Sequence, residues 1–297
     1  MNRRSFLLGA AFVPLTALAA PRWTYTGKLC FFSKHLPGMD GRRLGQSLKR
    51  AGFTGVDLTV RKGGHVLPEK VAEDLPGFVA AIRDEGLEVP MVTTELLRAS
   101  DPTALPIFSA AGKLSISFLK AGYYKYDFVD VRKELENASR EFRGLVQLAK
   151  EHRVQVGYHN HAGDLGAPVW DIAEMLRDLD PQWAGYYFDV CHAVAEGGVA
   201  GWKAALNLAA PRLKMVAIKD FYWEKTPGNG WRRHYCPLGE GMVDWKYYFQ
   251  ALAKAGFQGP LSLHLEYEIP GSTSAAVEDN TLSAAQRDLE FIKKHLS

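Results

Sequence analysis

Short apolar runs alternate with longer amphipathic stretches along most of the chain. Eight runs rich in β-branched and aromatic residues have the length of strands, and the stretches between them carry apolar residues at helical spacing. Because each strand is followed by a helix and no G-x-G-x-x-G follows any strand, the pattern predicts an α/β fold, a closed (β/α)8 TIM barrel forming a single domain over residues 21–297. The strands are expected at 29–33, 55–60, 88–94, 114–120, 154–159, 185–190, 213–219 and 260–266, and the clearest helices at 68–86, 130–153 (N-cap Asp130), 244–256 and 278–296.

Four of these strands end in polar residues, in 156-VGYHNHAGD-164, 186-YYFDVCHA-193, 215-MVAIKDFYW-223 and 261-LSLHLEYE-268. Side chains alternate faces along a strand, so Ala217 shares a face with Lys219, and His264 shares one with Glu266. A polar group that points into a barrel is costly unless it is paired or bound to a metal. Since the carboxyl ends of barrel strands meet at one mouth, the four strand ends predict one shared polar site.

The N-terminal segment predicts export. Residues 1–20 contain the pair Arg3-Arg4, a short apolar run and the cleavage pattern Ala17-Leu18-Ala19. The run is too short to span a bilayer, although an uncleaved anchor is the alternative. A twin-arginine signal is a bacterial export address, so we expect a periplasmic or secreted protein with no stable membrane anchor after signal cleavage.

Charge and cysteine content limit the partners. Without Arg3 and Arg4 the formal charge falls from +3 to +1, and no basic run is present, so nucleic acid is not an expected partner. The three cysteines, Cys30, Cys191 and Cys236, form no C-x-x-C, and their spacing selects no disulfide.

Six segments in order resemble one known superfamily. They are 52-GFTGVDLTVR-61, 157-GYHNHAGD-164, 188-FDVCHA-193, 217-AIKD-220, 237-PLGEGMVDW-245 and 259-GPLSLHLEYE-268. The chain resembles the xylose isomerase-like TIM barrels, which include sugar phosphate isomerases and epimerases and endonuclease IV-like proteins. The resemblance implies a divalent metal at the mouth, held by Glu, Asp, His and Glu at the ends of strands 5 to 8, and a substrate-binding His three residues after the Asp.

The matched positions keep only part of that pattern. Asp189 and His192 stand where the family has its strand-6 Asp and substrate His, whereas the strand-5 and strand-8 Glu positions hold His159 and His264. The strand-7 ligand is replaced by Ala217. The implied metal set is therefore His159, Asp189, His264 and Glu266, for Mn, Zn, Co, Fe or Mg. Whether a metal binds stays open, because Lys219 can supply positive charge instead.

The expected chemistry is proton abstraction next to a carbonyl. A metal or Lys219 polarises the C=O, Glu266 or Asp189 takes the proton, and His192 or Lys219 orients hydroxyls. Isomerisation, epimerisation and β-elimination share this first step. The remaining candidates are assigned to substrate binding: Asp57, at a position where the family often has Glu, with Arg61, His65, Tyr123, His161 and Trp223.

The sequence therefore predicts an exported isomerase or epimerase acting on an unphosphorylated sugar, keto-sugar or oxidised glycoside, with a carbohydrate as its small-molecule partner and a homo-oligomer as a possible assembly. Two alternatives stay open: a lyase or dehydratase acting on 3-keto-glycosides, and a non-catalytic sugar-binding barrel. An endonuclease IV-like phosphodiesterase is disfavoured, because it needs three metals and a basic DNA-binding face.

Overall fold

The computed structural model describes residues 23–296, so the predicted twin-arginine signal at 1–20 lies outside the described residues. Eight parallel strands close into a barrel in the order β1-β10-β7-β6-β5-β4-β3-β2, which confirms the predicted fold. The strands of the described chain are β1 Leu29–Phe32, β2 Gly55–Thr59, β3 Glu88–Thr93, β4 Phe118–Lys120, β5 Gln155–His159, β6 Ala184–Asp189, β7 Leu213–Ile218, β8 Asp220–Lys225, β9 Trp231–Cys236 and β10 Leu261–Leu263.

Helices cover the outside of the barrel. The Asp130 side chain accepts a hydrogen bond from the Lys133 N–H and so caps the helix at 131–152, as predicted. Pro68 begins a short 3₁₀ turn, and the helix predicted to start there begins at Val71. Within residues 23–296 no helix has the length and apolar character needed to cross a membrane. The helices are α1 Gly41–Ala51, α2 Val71–Asp84, α3 Ala104–Lys113, α4 Val131–His152, α5 Val169–Leu176, α6 Val190–Ala209, α7 Trp245–Lys254 and α8 Ser274–Leu296.

An antiparallel hairpin, β8–β9, follows β7 and was not predicted from the sequence. Its first residue, Asp220, is enclosed by the 237–245 segment: the carboxylate accepts hydrogen bonds from the backbone N–H of Gly239 and Gly241 and from the indole of Trp245. A Cβ on Gly241 would lie 2.1 Å from Asp220 Oδ1, so only glycine fits there. The 237–245 segment, one of the six that carry the family resemblance, therefore anchors the hairpin and supplies no group to the cavity described below.

The barrel interior is layered. Below the mouth, Ala217 packs with Met91, Tyr187 and Met215 in a small buried apolar cluster. Above this cluster, the next inward position on several strands is polar or charged, as the period-2 alternation predicts. The replacement of a family ligand by Ala217 therefore extends the apolar packing of the barrel. Cys30, Cys191 and Cys236 are all buried as free thiols.

Candidate active site

A cavity of about 200 Å³ opens at the carboxyl ends of the strands. It has room for about seven waters, which is the scale of a monosaccharide. Seven of the predicted site residues line it, whereas Asp189 and His192 lie fully buried behind it. The lining residues are Phe32, Lys34, Arg61, Thr93, Lys120, Tyr123, His159, His161, Tyr187, Lys219, His264 and Glu266.

Lys219 presents a fixed ammonium group to this cavity. Its Nζ lies 3.0 Å from Asp189 Oδ2 and 2.8 Å from His192 Nε2. Burial opposes the charge of Lys219, but the attraction of Asp189 outweighs it and raises the pKa of the amine. Burial likewise favours a protonated Asp189, yet Lys219 holds the pKa of that carboxyl well below its usual range. The two groups form a buried pair in which both members are charged.

Asp189 is itself held from several sides. It caps α6 by accepting the His192 N–H, and its backbone N–H and carbonyl bond the side-chain amide of Asn160. His159 Nε2 lies 3.0 Å from Asp189 Oδ2, and His159 Nδ1 lies 2.8 Å from the Tyr123 hydroxyl. Burial lowers the pKa of His159 to about 3, so this ring is neutral at neutral pH. Asp189 and His192 are fully buried and do not line the cavity; Asp189 contacts both Lys219 and His159, which do line it.

His192 lies between two cations. Arg233, on β9, places Nη1 2.7 Å from His192 Nδ1, while Lys219 approaches Nε2. A neutral imidazole accepts a hydrogen bond at only one nitrogen, and a guanidinium only donates, so both contacts cannot be satisfied while both cations are charged. Lys219 is also fixed by Asp189, whereas Arg233 has no carboxylate partner among residues 23–296. Arg233 is thus the cation that is free to turn towards a ligand.

Three buried side chains bring possible metal-ligand atoms close together. His159, Asp189 and His192 are the group in the described chain whose possible ligand atoms lie within 4.8 Å of one another. The Lys219 ammonium is already in contact with two of these atoms. A metal there would lie beside a buried cation and compete with it for the same lone pairs. His159, Asp189 and His192 thus form a candidate metal site, but a metal could bind there only if Lys219 left its present contacts. The predicted set that included His264 and Glu266 is not brought together as one cluster.

Glu266 and His264 form a separate wall of the cavity. Lys34 Nζ donates to both carboxylate oxygens of Glu266, at 2.7 and 2.9 Å. Burial alone would raise the pKa of Glu266, but Lys219 and Lys34 lower it, so the carboxylate is ionised at neutral pH. His264 Nε2 lies 3.0 Å from the Tyr187 hydroxyl, and its Nδ1 is 3.9 Å from Glu266, too far for a hydrogen bond.

Three predicted substrate-binding residues lie elsewhere. Asp57 is buried beneath the cavity, where Thr93, Ser262 and Tyr187 donate to its carboxylate, and burial raises its pKa to about 6. The His65 ring lies between the Thr59 hydroxyl and the Leu36 carbonyl. Trp223 lies on the hairpin with 40% of its surface exposed. These three residues were predicted to lie near the mouth of the barrel, but none of them lines the cavity.

The sequence analysis missed Lys120, the last residue of β4. Lys120 is 1% exposed, lines the cavity and holds its Nζ 3.4 Å from the centre of the Tyr123 ring. Burial lowers its pKa to about 7, and the nearby charge of Arg61 adds to this effect. The signal was present, because Phe118 and Lys120 share a face and Lys120 ends an apolar strand like the four that were selected.

Known proteins similar to this chain support the same reading of the fold. The chain is 27% identical over 127 residues to an inosose dehydratase of Geobacillus thermodenitrificans, covering 39% of this chain and 41% of that protein. It spans about half the length or less of the curated relatives it matches.

Three solved structures superpose over most of the chain, and at their low identity they establish the fold alone. A D-psicose 3-epimerase of Clostridium cellulolyticum H10 gives a TM-score of 0.68 at 13% identity, covering 91% of this chain and 99% of that one. The probable 3-DHS dehydratase AsbF of Bacillus anthracis gives 0.68 at 15%, covering 90% and 98%. A xylose isomerase-like protein of Mycobacterium smegmatis in complex with magnesium gives 0.63 at 14%, covering 89% and 98%.

The family match covers residues 46–295, from α1 to the end of α8, and so includes all the cavity-lining residues except those of β1 and the turn after it. The chain belongs to the xylose isomerase-like TIM barrel family.

Proposed function

We propose that this protein catalyses proton abstraction next to the carbonyl of a small sugar, leading to isomerisation, epimerisation or loss of water. The observation that carries the proposal is the Lys219 ammonium, held by Asp189 and His192, facing the same monosaccharide-sized cavity as the ionised carboxylate of Glu266. A fixed cation and a base are the two groups that this chemistry needs.

The residues take distinct parts in the reaction. Glu266 removes the proton, and the electrons of the C–H bond form the C=C of an enediolate while the carbonyl oxygen takes the negative charge beside Lys219. For isomerisation, protonated Glu266 then gives its proton to the former carbonyl carbon, while the hydroxyl proton on the adjacent carbon passes to the former carbonyl oxygen and a new C=O forms. Epimerisation requires a second acid that protonates the original carbon from the opposite face. Dehydration expels a β-hydroxyl, which leaves as water after protonated Glu266 gives it the proton.

The similar proteins favour these outcomes as a group. The dehydratase of G. thermodenitrificans and the epimerase of C. cellulolyticum bear names that fit two of the three branches. We expect an unphosphorylated keto-sugar or oxidised glycoside as substrate, because the cavity is small and most of the residues that line it are buried. His264 Nδ1, which forms no hydrogen bond within residues 23–296, is available to a substrate hydroxyl.

A metal-assisted version of the same reaction is the second candidate. It is favoured by the proximity of His159, Asp189 and His192, and by the magnesium complex of the structurally similar M. smegmatis protein. It requires Lys219 to leave its present contacts, and we derive no step from it. Elemental analysis separates the two: we expect no stoichiometric divalent metal, while one equivalent that disappears in Asp189→Ala would favour the metal-assisted version.

The test is exchange of a carbon-bound proton with deuterated solvent, followed by NMR over a panel of keto-sugars and 3-keto-glycosides. We expect Lys219→Met to lower the exchange rate by about 10²- to 10³-fold and Glu266→Gln by about 10²- to 10⁴-fold. Glu268→Gln is the matched control, because Glu268 lies two residues further on and is exposed. Sugar binding without exchange on any member of the panel would instead support a non-catalytic sugar-binding barrel.

We also propose export to the periplasm or the medium, on the basis of the twin-arginine pattern at residues 1–20. Fractionation of bacteria that produce the full-length chain tests it. Replacement of Arg3-Arg4 by Lys-Lys should retain the protein in the cytoplasm if the prediction holds, and unchanged distribution would contradict it.

A further inference from the structure

The cavity has more positive than negative charge. Among the described residues, four cations line it and Arg233 lies directly behind it, whereas the carboxylates at the same level are Glu266 in the wall and Asp189 behind it. Those two are already engaged, Glu266 by Lys34 and Asp189 by Lys219. The excess positive charge therefore lies on the cations without a carboxylate partner among the described residues, which are Arg61, Lys120 and Arg233.

Arg61 and Lys120 are the two lining cations without a counter-ion. Neither forms an ion pair with a carboxylate in the described chain, and their side-chain contacts are with aromatic faces: Arg61 lies 5.7 Å from the Phe32 ring centre and Lys120 3.4 Å from that of Tyr123. A buried cation without a counter-ion is costly. Lys120, at 1% exposure, is such a group.

Nearby carboxylates do not remove this excess. Asp57 lies beneath the cavity, but its hydrogen bonds come from the neutral donors Thr93, Ser262 and Tyr187. Asp164 is engaged by Lys125 and His161, and Glu95 is exposed. All three act on Lys120 through space, yet burial and Arg61 still leave its pKa at about 7.

The barrel order places these cations opposite the reacting end. Strand β3 lies four positions from β7 around the eight-stranded barrel, and Lys120 and Arg61 come from β4 and from the loop after β2, the two strands that flank β3. Lys219 follows β7 directly. A molecule that fills the cavity therefore spans from Lys219 to the Arg61–Lys120 pair.

We propose that the substrate is an acidic sugar, a monosaccharide-sized molecule with its carbonyl at Lys219 and a carboxylate bound between Arg61 and Lys120. The inference rests on the proposed function for the carbonyl end only. A carboxylate supplies the missing counter-ion, since a guanidinium binds it through two parallel hydrogen bonds and an ammonium adds a third donor. The volume of about 200 Å³ favours the smaller carboxylate over a phosphate ester.

Binding affinity tests this without relying on catalysis. Calorimetric titrations would compare three probes: D-fructose, D-fructuronate, in which the terminal CH2OH of fructose is replaced by a carboxylate, and D-fructose 6-phosphate. We expect the keto-acid to bind at least about tenfold more tightly than fructose, which corresponds to about 1.4 kcal/mol. Equal affinity for the two, or tighter binding of the phosphate ester, would overturn the assignment.

Variants locate the anion site. Arg61→Gln and Lys120→Met should each weaken keto-acid binding by at least about tenfold more than they weaken fructose binding. Lys62→Gln is the matched control, because Lys62 is adjacent to Arg61, exposed and absent from the cavity wall. If both variants bind the keto-acid like the wild type, the inference is wrong. Keto-acid binding without proton exchange would contradict the proposed function and leave the anion site standing.

Discussion

The two sides of the cavity treat buried positive charge in opposite ways. On the β6–β7 side, Lys219 is neutralised by Asp189, and the attraction raises the pKa of the amine. On the β4 side, Lys120 is equally buried but forms no ion pair with a carboxylate among residues 23–296; its Nζ lies against the Tyr123 ring, and burial lowers its pKa to about 7. Lys219 thus has its counter-ion within the protein, as a fixed catalytic group must. Lys120 has no counter-ion among residues 23–296, and in our proposal the carboxylate of the ligand supplies it.

The largest effect is expected from Asp189→Asn. This change removes the charge that stabilises Lys219 and leaves a buried cation unpaired, a type of loss that costs about 3–5 kcal/mol. We expect a decrease of that size in the free energy of unfolding, measured by urea denaturation, together with loss of proton exchange. Asp244→Asn is the control, because Asp244 also caps a helix but is largely exposed, and Asn caps a helix about as well as Asp, so little stability should be lost. A similar small loss in both variants would contradict the buried pair.

The two lysines should also differ in the sign of their contribution to stability. An unfolded lysine titrates near pH 10.4, so below about pH 7 the charged Lys120 carries its full burial cost, and this cost declines as pH rises towards 10. Lys120→Met should therefore be more stable than the wild type at pH 7, with the difference narrowing by about 2 kcal/mol by pH 9.

Lys219→Met provides the opposite case. The raised pKa of Lys219 means that its stabilisation is fully present below pH 10.4 and is lost only as pH rises through the higher folded value. This variant should be less stable than the wild type by an amount that stays constant between pH 7 and 9. Urea denaturation of the three proteins across that range measures both differences, and parallel behaviour of the two variants would remove the distinction between the two sides.

The fold and most of the reacting side could be predicted from the sequence, whereas the binding side could not. Strand periodicity placed His159, Lys219 and His264 on inward faces, because alternation is a local property. The missing counter-ion of Lys120 depends on which strands become neighbours around the barrel, and the engagement of Asp57 depends on Thr93 and Ser262, far away in sequence. The hairpin escaped prediction because most of its residues are exposed or only partly buried and lack a regular apolar alternation.

Lys34→Met should change the pKa of Glu266, because Lys34 is the hydrogen-bond partner of that carboxylate. Lys34 and Lys219 lower the pKa of Glu266, so the fall of kcat/KM at acid pH should begin only below the ordinary glutamate pKa of about 4.3. Lys34→Met removes one of the two cations, so the pKa of Glu266 should rise and the acid limb should move to higher pH. The pH profile of proton exchange measures the shift, and Lys254→Met, an exposed lysine on α7, is the control. An unchanged profile would exclude Glu266 as the base.

The smallest effect is expected at Trp223, which the sequence assigned to substrate binding. Trp223 faces Arg233 across the hairpin register and packs against Phe221, with 40% of its surface exposed and no part in the cavity wall. An exposed residue outside a site usually changes free energies by no more than about 0.5 kcal/mol, or roughly twofold in a binding constant. Trp223→Ala should therefore leave kcat unchanged and KM within about twofold. A tenfold rise in KM with kcat unchanged would mean that the hairpin folds over the ligand and that Arg233, released from His192, joins Arg61 and Lys120 in holding its charge.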